Sequence, residues 1–215
     1  MKPGTRRTQV RKTALPAIVR ALQSDTVPVK RAAVVALSEA GDASTVPILL
    51  ALMFSGGELA ADARTSLEAM DGEAVDLALI NVMQTTEDSG QRRTLIDILN
   101  NRRALSAIPA FLAEVRGDDK SVRRNAMTAL GRLAGPDHVA DMIQGLWKTE
   151  GGDRDHAERA ITGVCQRIAD CNDQAGPVMA VYVDSDDSQK NGLLPLLGRI
   201  GSSDALKPIR TALTD

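Results

Sequence analysis

Two cysteines and two histidines are the side chains in this 215-residue sequence best suited to covalent or metal chemistry. Cys165 and Cys171 share one stretch with His156 and Asp170, a set of types that could ligate zinc. Zinc sites carry CxxC or HExxH spacing, which brings paired ligands onto one turn, and this stretch has neither. Cys165 falls in an apolar stripe and reads as a small core residue. Cys171 falls in a polar turn, and a bridge to Cys165 would need the two Cα atoms within about 7 Å. His138 opens one helical pattern and His156 lies inside the next. Neither has a Ser or Cys placed to form a nucleophile–base pair on one face, so both read as capping or solvated groups. The residues assign no catalytic group, no metal and no cofactor. They point to a non-enzyme.

Acidic and basic residues recur near the starts of helical patterns: Asp25 with Arg31, Asp88 with Arg93, Asp119 with Arg124, Asp153 with Arg159, and Asp186 with Lys190. They could line an ion or phosphate track. The simpler expectation is a structural ladder between neighbouring helices, each Asp also favouring a helix N-terminus. A basic block of Lys2, Arg6, Arg7, Arg11, Lys12 and Arg20 precedes the first acid, Asp25. The rest of the chain then holds 20 basic against 28 acidic residues. Six cations could reach a polyanion. No aromatic stands among them to stack on bases, so nucleic acid is not the expected partner.

Composition says what must carry these residues. Hydrophobic residues make up 43% and charged residues 25%, which are globular values. Only two Phe, one Trp and one Tyr are aromatic. The apolar volume therefore comes from Ala, Leu, Val and Ile, which suit thin layers of closely packed helices. No apolar run approaches the roughly 18 residues of a membrane span. Met1-Lys2-Pro3-Gly4-Thr5-Arg6-Arg7 has no apolar stretch behind its charges, as an export signal would. The cytoplasm is the default expectation, unless the segment was excised from a longer exported protein.

Repetition fixes the expected architecture. Ala14-Leu15-Pro16-Ala17-Ile18-Val19 matches Thr45-Val46-Pro47-Ile48-Leu49-Leu50, Ala107-Ile108-Pro109-Ala110-Phe111-Leu112, Ala175-Gly176-Pro177-Val178-Met179-Ala180 and Leu206-Lys207-Pro208-Ile209-Arg210-Thr211. With Leu77 and Ala140 as equivalents in two cryptic copies, the origins fall at 16, 47, 77, 109, 140, 177 and 208. Their spacings are 31, 30, 32, 31, 37 and 31. Each unit holds two helical patterns. The first ends in Leu and Gly, as in Leu37 through Gly41, Leu130 through Gly135 and Leu197 through Gly201, with the Gly expected in the left-handed conformation of a helix end. The second starts at the Pro, which the first turn tolerates. Apolar residues then fill offsets +2, +3 and +6 in six copies, from Ile18, Val19 and Leu22 to Met179, Ala180 and Val183. The long spacing implies about six inserted residues, expected at 168–174 and at the Gly151-Gly152 turn. Gly192 and Pro195 predict a kink in the last first-helix.

The stretches Asp25-Thr26-Val27-Pro28-Val29-Lys30-Arg31-Ala32-Ala33-Val34-Val35-Ala36-Leu37 and Asp118-Asp119-Lys120-Ser121-Val122-Arg123-Arg124-Asn125-Ala126-Met127-Thr128-Ala129-Leu130-Gly131 carry an acid, then Val with Arg or Lys, then Ala-x-x-Ala-Leu-Gly or part of it. They resemble the HEAT-like repeat family, in particular the short repeats of bilin-lyase subunits. The resemblance covers residues 14–215 and implies an all-α, right-handed α-solenoid of two-helix repeats with a period of about 31 residues. An initial half repeat and six repeats would follow a basic segment at 1–13. The closing repeats resemble arrays of large multidomain bacterial proteins. Both ends look uncapped, so a cut segment or end-to-end self-association is expected.

A solenoid's inner surface is the remaining place for function. Offsets +4 and +5 of the second helices should face it, which gives Arg20, Ala51 with Leu52, Asn81, Ala113 with Glu114, Gln144, and Val181 with Tyr182, with Trp147 one turn beyond Gln144. This mixed, weakly charged surface suits a protein or peptide, with Trp and Tyr as anchors. The expected function is a non-catalytic interaction scaffold. The alternatives are a chromophore-lyase-like subunit, implied by the resemblance, and nucleic-acid binding through the basic N-terminus.

Overall fold

The structure is a computed structural model that describes residues 13–206 and 209–210. Lys2, Arg6, Arg7, Arg11 and Lys12 of the basic block, and Lys207, Pro208 and Leu213 of the closing stretch, lie outside the described residues. Among the described residues all regular structure is helical, and no strand is present. The fold class is all-α. No helix among them is long and apolar enough to cross a membrane.

The chain divides into two compact units, Met1–Ala107 and Ile108–Asp215. The first holds α1 (13–21), α2 (Val27–Ala40), α3 (Val46–Phe54), α4 (Ala60–Ala69), α5 (Glu73–Thr85) and α6 (Ser89–Asn101). Within it α2 packs on α4 and α4 on α6, while α3 packs on α5 and α4. The second holds α7 (Ile108–Glu114), α8 (Lys120–Leu133), α9 (Val139–Leu146), α10 (Gly151–Cys165), α11 (Gly176–Asp184) and α12 (Asp187–Ile200). There α8 packs on α10 and α10 on α12, and α7 packs on α9 and α9 on α11. Each unit is thus two layers, with first helices in one and second helices in the other.

Local sequence explains the boundaries. Asp88, Asp119 and Asp186 are N-caps whose carboxylates accept backbone N–H bonds from Gln91, from Ser121 and Val122, and from Gln189. Pro28, Pro47 and Pro177 sit in the first turns of α2, α3 and α11, where a missing N–H costs nothing. Between the layers, the slots predicted from the Pro origins are buried in four copies: Leu49, Leu50, Met53; Leu79, Ile80, Met83; Phe111, Leu112, Val115; Met142, Ile143, Leu146. In α1, Ile18 and Val19 are half-buried, and Leu22 just beyond it is buried.

The copy on α11 departs from the expectation. Val178 is fully buried, Met179 half-buried, Ala180 exposed, and Val183 is 67% exposed. The inserted residues lie in the turn at 166–175, and α11 emerges from it rotated by about one residue, roughly 100°. Ala175 and Val178 then take the inward positions. Gly151 and Gly152 are not part of the insertion but the first residues of α10. The helix α12 continues through Gly192 and Pro195.

The glycines that close first helices also divide. Gly201 is left-handed, at φ 75°, as expected. Gly41 and Gly135 are extended, at φ −69° and −95°. Space rather than conformation demands Gly41, since a Cβ there would stand 2.5 Å from the Leu37 carbonyl oxygen and 2.9 Å from Met70 Cε. The left-handed residue missing from that pattern is Arg103, at φ 55°.

Neighbouring first helices are tied by polar bonds between residues about 30 apart in sequence. Arg31 pairs with Asp62 at 2.9 Å, and Arg124 and Lys120 both reach Asp153 at 2.7 and 2.8 Å. The ladder exists in part: Arg31 and Arg124 pair with acids of the following first helix, Asp62 and Asp153, while Asp88, Asp119 and Asp186 are N-caps. Arg102 ends α6 with its side chain only 5% exposed. It donates through Nη1 to the Leu67 and Met70 carbonyls at 2.6 Å each, and through Nε to Asp76 Oδ1 at 2.6 Å. Arg167 repeats this in the second unit, donating to the Gly131 carbonyl at 2.7 Å and to the Ala134 carbonyl. These arginines satisfy the orphan carbonyls of the preceding first helix.

Candidate functional site

The second-helix layer of the second unit carries a groove of about 400 Å³ lined by Ala140, Gln144 and Trp147, by Ala180, Val181, Asp184 and Ser185, and by Gln189. Its construction follows from the helices. On α9 the inward stripe of Val139, Met142, Ile143 and Leu146 is buried, which turns Ala140 and Gln144 outward. On α11 the one-residue rotation presents Ala180 instead of burying it, beside Val181. The turn into α12 supplies Ser185, whose hydroxyl donates to the Val181 carbonyl at 2.8 Å. Gln189 supports the Asp186 cap, donating its backbone N–H and accepting with Oε1.

Trp147 caps the end of α9, its backbone N–H donating to the Ile143 carbonyl at 3.2 Å. The indole is half-buried and lies against α12, where a Cβ on Gly192 would come within 3.0 Å of Cζ3. Arg154 of α10 places its guanidinium 5.9 Å from the ring centroid. The same guanidinium donates to the Gly192 carbonyl and, through Nε at 3.2 Å, to Glu158. The Glu158 side chain is 4% exposed and also faces Arg199 at 3.5 Å. A buried carboxylate held by two arginines thus fixes the plate on which Trp147 rests.

Gln144, Trp147 and Val181 are the predicted binding residues that this groove brings together. Tyr182 is not in its lining and is half-buried, with the Lys190 ammonium 6.0 Å from its ring centroid. Glu114 is half-buried at the end of α7. In the first unit Arg20 is exposed on α1, Leu52 half-buried on α3 and Asn81 exposed on α5. Asp184, Ser185 and Gln189 carried no motif and were not legible as site residues.

The residues with chemical potential are placed apart from this groove. His138 accepts the Gly135 N–H on Nδ1 at 3.1 Å, a capping role. His156 bonds Thr128 Oγ1 through Nε2 at 2.9 Å. Burial first, and then the nearby Arg124 and Arg159 charges, lower its pKa below the ordinary histidine value. Hydrogen bonds from Lys120 and Arg124 hold the Asp153 carboxyl below its usual range. Beside them a cavity of about 10 Å³, lined in part by Arg123, Thr149 and His156, has room for one water. Cys165 is a buried thiol whose pKa burial raises to about 11, and Cys171 is an exposed thiol. Among the described residues no three His, Cys, Asp or Glu side chains gather in a way that could hold a metal ion.

No protein-family model and no curated protein matches this chain.

Proposed function

We propose that the chain is a right-handed solenoid of two-helix, HEAT-like repeats of about 31 residues, and that it acts as a non-catalytic scaffold. Its second-helix layer binds an extended segment of another protein, with the groove over Trp147 as the anchor point. The observation that carries this reading is the joining of Gln144, Trp147, Ala180 and Val181 along one groove of about 400 Å³. That volume is of the size that receives one or two side chains of a peptide. An aromatic plate with glutamine and serine beside it offers apolar area for a side chain and hydrogen bonds for a main chain. The repeated packing in each unit and the polar links one repeat apart favour the solenoid part of the proposal.

Panning a displayed library of random 12-residue peptides against the whole chain tests it, with Ala180→Arg as counter-selection. Ala180 is exposed, so the variant keeps its fold while filling the groove. Peptides retained by the parent chain and lost by the variant support the proposal. Peptides retained equally by both, or no retained peptides, contradict it.

A further inference from the structure

We infer that the groove over Trp147 selects a peptide presenting a cationic side chain, arginine above all, which is held between the indole and the Asp184 carboxylate. This rests on the peptide-binding reading and names the chemistry of the partner.

Charge placement is the first argument. Asp184 is the last residue of α11, at the negative end of the helix dipole, where a carboxylate is disfavoured. Its neighbours Asp186 and Asp187 stand in the favourable place, the N-cap and first turn of α12. Asp184 has no ion-pair or hydrogen-bond partner among the described residues, although it lines the groove. Folding therefore gains nothing from this carboxylate, whereas a bound cation would.

The surroundings supply the second argument. Arg154, the cation nearest the indole, is already neutralised by Glu158, so the groove's own charge is that of Asp184. Lys190 is engaged over Tyr182, outside the groove lining. A guanidinium entering the groove meets an aromatic surface, a carboxylate and the polar side chains of Gln144 and Gln189. Its planar, weakly hydrated charge suits stacking, and its fork suits the carboxylate. An anionic side chain would meet Asp184 with no free cation in the lining, and an apolar one would leave the carboxylate desolvated and unpaired.

The experiment uses peptides from the same library that bind the parent chain and are lost by Ala180→Arg. Each is resynthesised with citrulline, the uncharged isostere of arginine, at its arginine positions. Binding is read from the emission of Trp147, the sole tryptophan of the chain. The expected result is arginine in most selected peptides and about tenfold weaker binding after citrulline replacement. Asp184→Asn should cost a similar factor alone and remove most of the citrulline effect, with a Tm equal to or above the parent's. Groove-dependent peptides without lysine or arginine, or citrulline and Asp184→Asn changes without effect, overturn this inference while the peptide-binding reading stands. The absence of any groove-dependent peptide overturns both.

Discussion

The Arg154 guanidinium lies 5.9 Å from the ring centroid of Trp147 and at the same time donates to Glu158 at 3.2 Å. One cation thus couples the exposed groove to a buried carboxylate. Arg154→Ala leaves Glu158 with Arg199 alone, and breaking a buried pair in this way costs about 2–4 kcal/mol. Denaturant titration should show that loss, and the double variant with Glu158→Gln should recover a measurable part of it.

Arg102 and Arg167 cap equivalent helix ends in different surroundings. Arg102 is buried against Asp76 and two carbonyls, so Arg102→Ala should cost about 3–5 kcal/mol. Arg167 is exposed and bonds only carbonyls, so Arg167→Ala should cost about 1 kcal/mol. Equal losses from the two would contradict this account of the capping.

Arg103 is a left-handed, non-glycine residue in the place where helix ends favour glycine. Its N–H donates to the Asn100 carbonyl and that of Ala104 to the Leu99 carbonyl, both at 3.0 Å, which is the hydrogen-bond pattern of a glycine-ended helix. Arg103→Gly should therefore stabilise the chain by about 1 kcal/mol, seen as a higher Tm. Arg103→Val, a β-branched change, should lower it.

His156 makes stability depend on pH. Its folded pKa lies below the ordinary value near 6.5, so on acidification the unfolded chain takes the proton first. This contribution is complete above about pH 6.5 and is lost as pH falls from there toward the folded pKa. His156→Gln should flatten the stability profile in that window. Asp153, whose folded pKa is lowered, adds a separate loss below about pH 4 that the variant should keep.

Most of the helical framework was legible because burial follows a period that the sequence displays. The slots of α3, α5, α7 and α9 are filled by Leu, Ile, Met, Phe and Val at the predicted offsets. The register of α11 was not legible, because a ten-residue turn at 166–175 ends with Pro177 at the start of a helix but no longer at the same angle. That rotation put Ala180, a predicted core residue, in the groove and Tyr182 outside it. Trp147 and Gln144 could be proposed from spacing alone, yet the plate beneath the indole depends on Gly192, 45 residues further on. The capping arginines left only a faint trace, a basic residue two or three positions past the last apolar core residue, Leu99 or Cys165.

Titration of the parent chain with peptides selected against Ala180→Arg, followed by Trp147 emission, bears most directly on the proposed groove. The account predicts a saturable 1:1 change in emission that disappears in the variant. Tight binding with unchanged emission would place the partner elsewhere and contradict it.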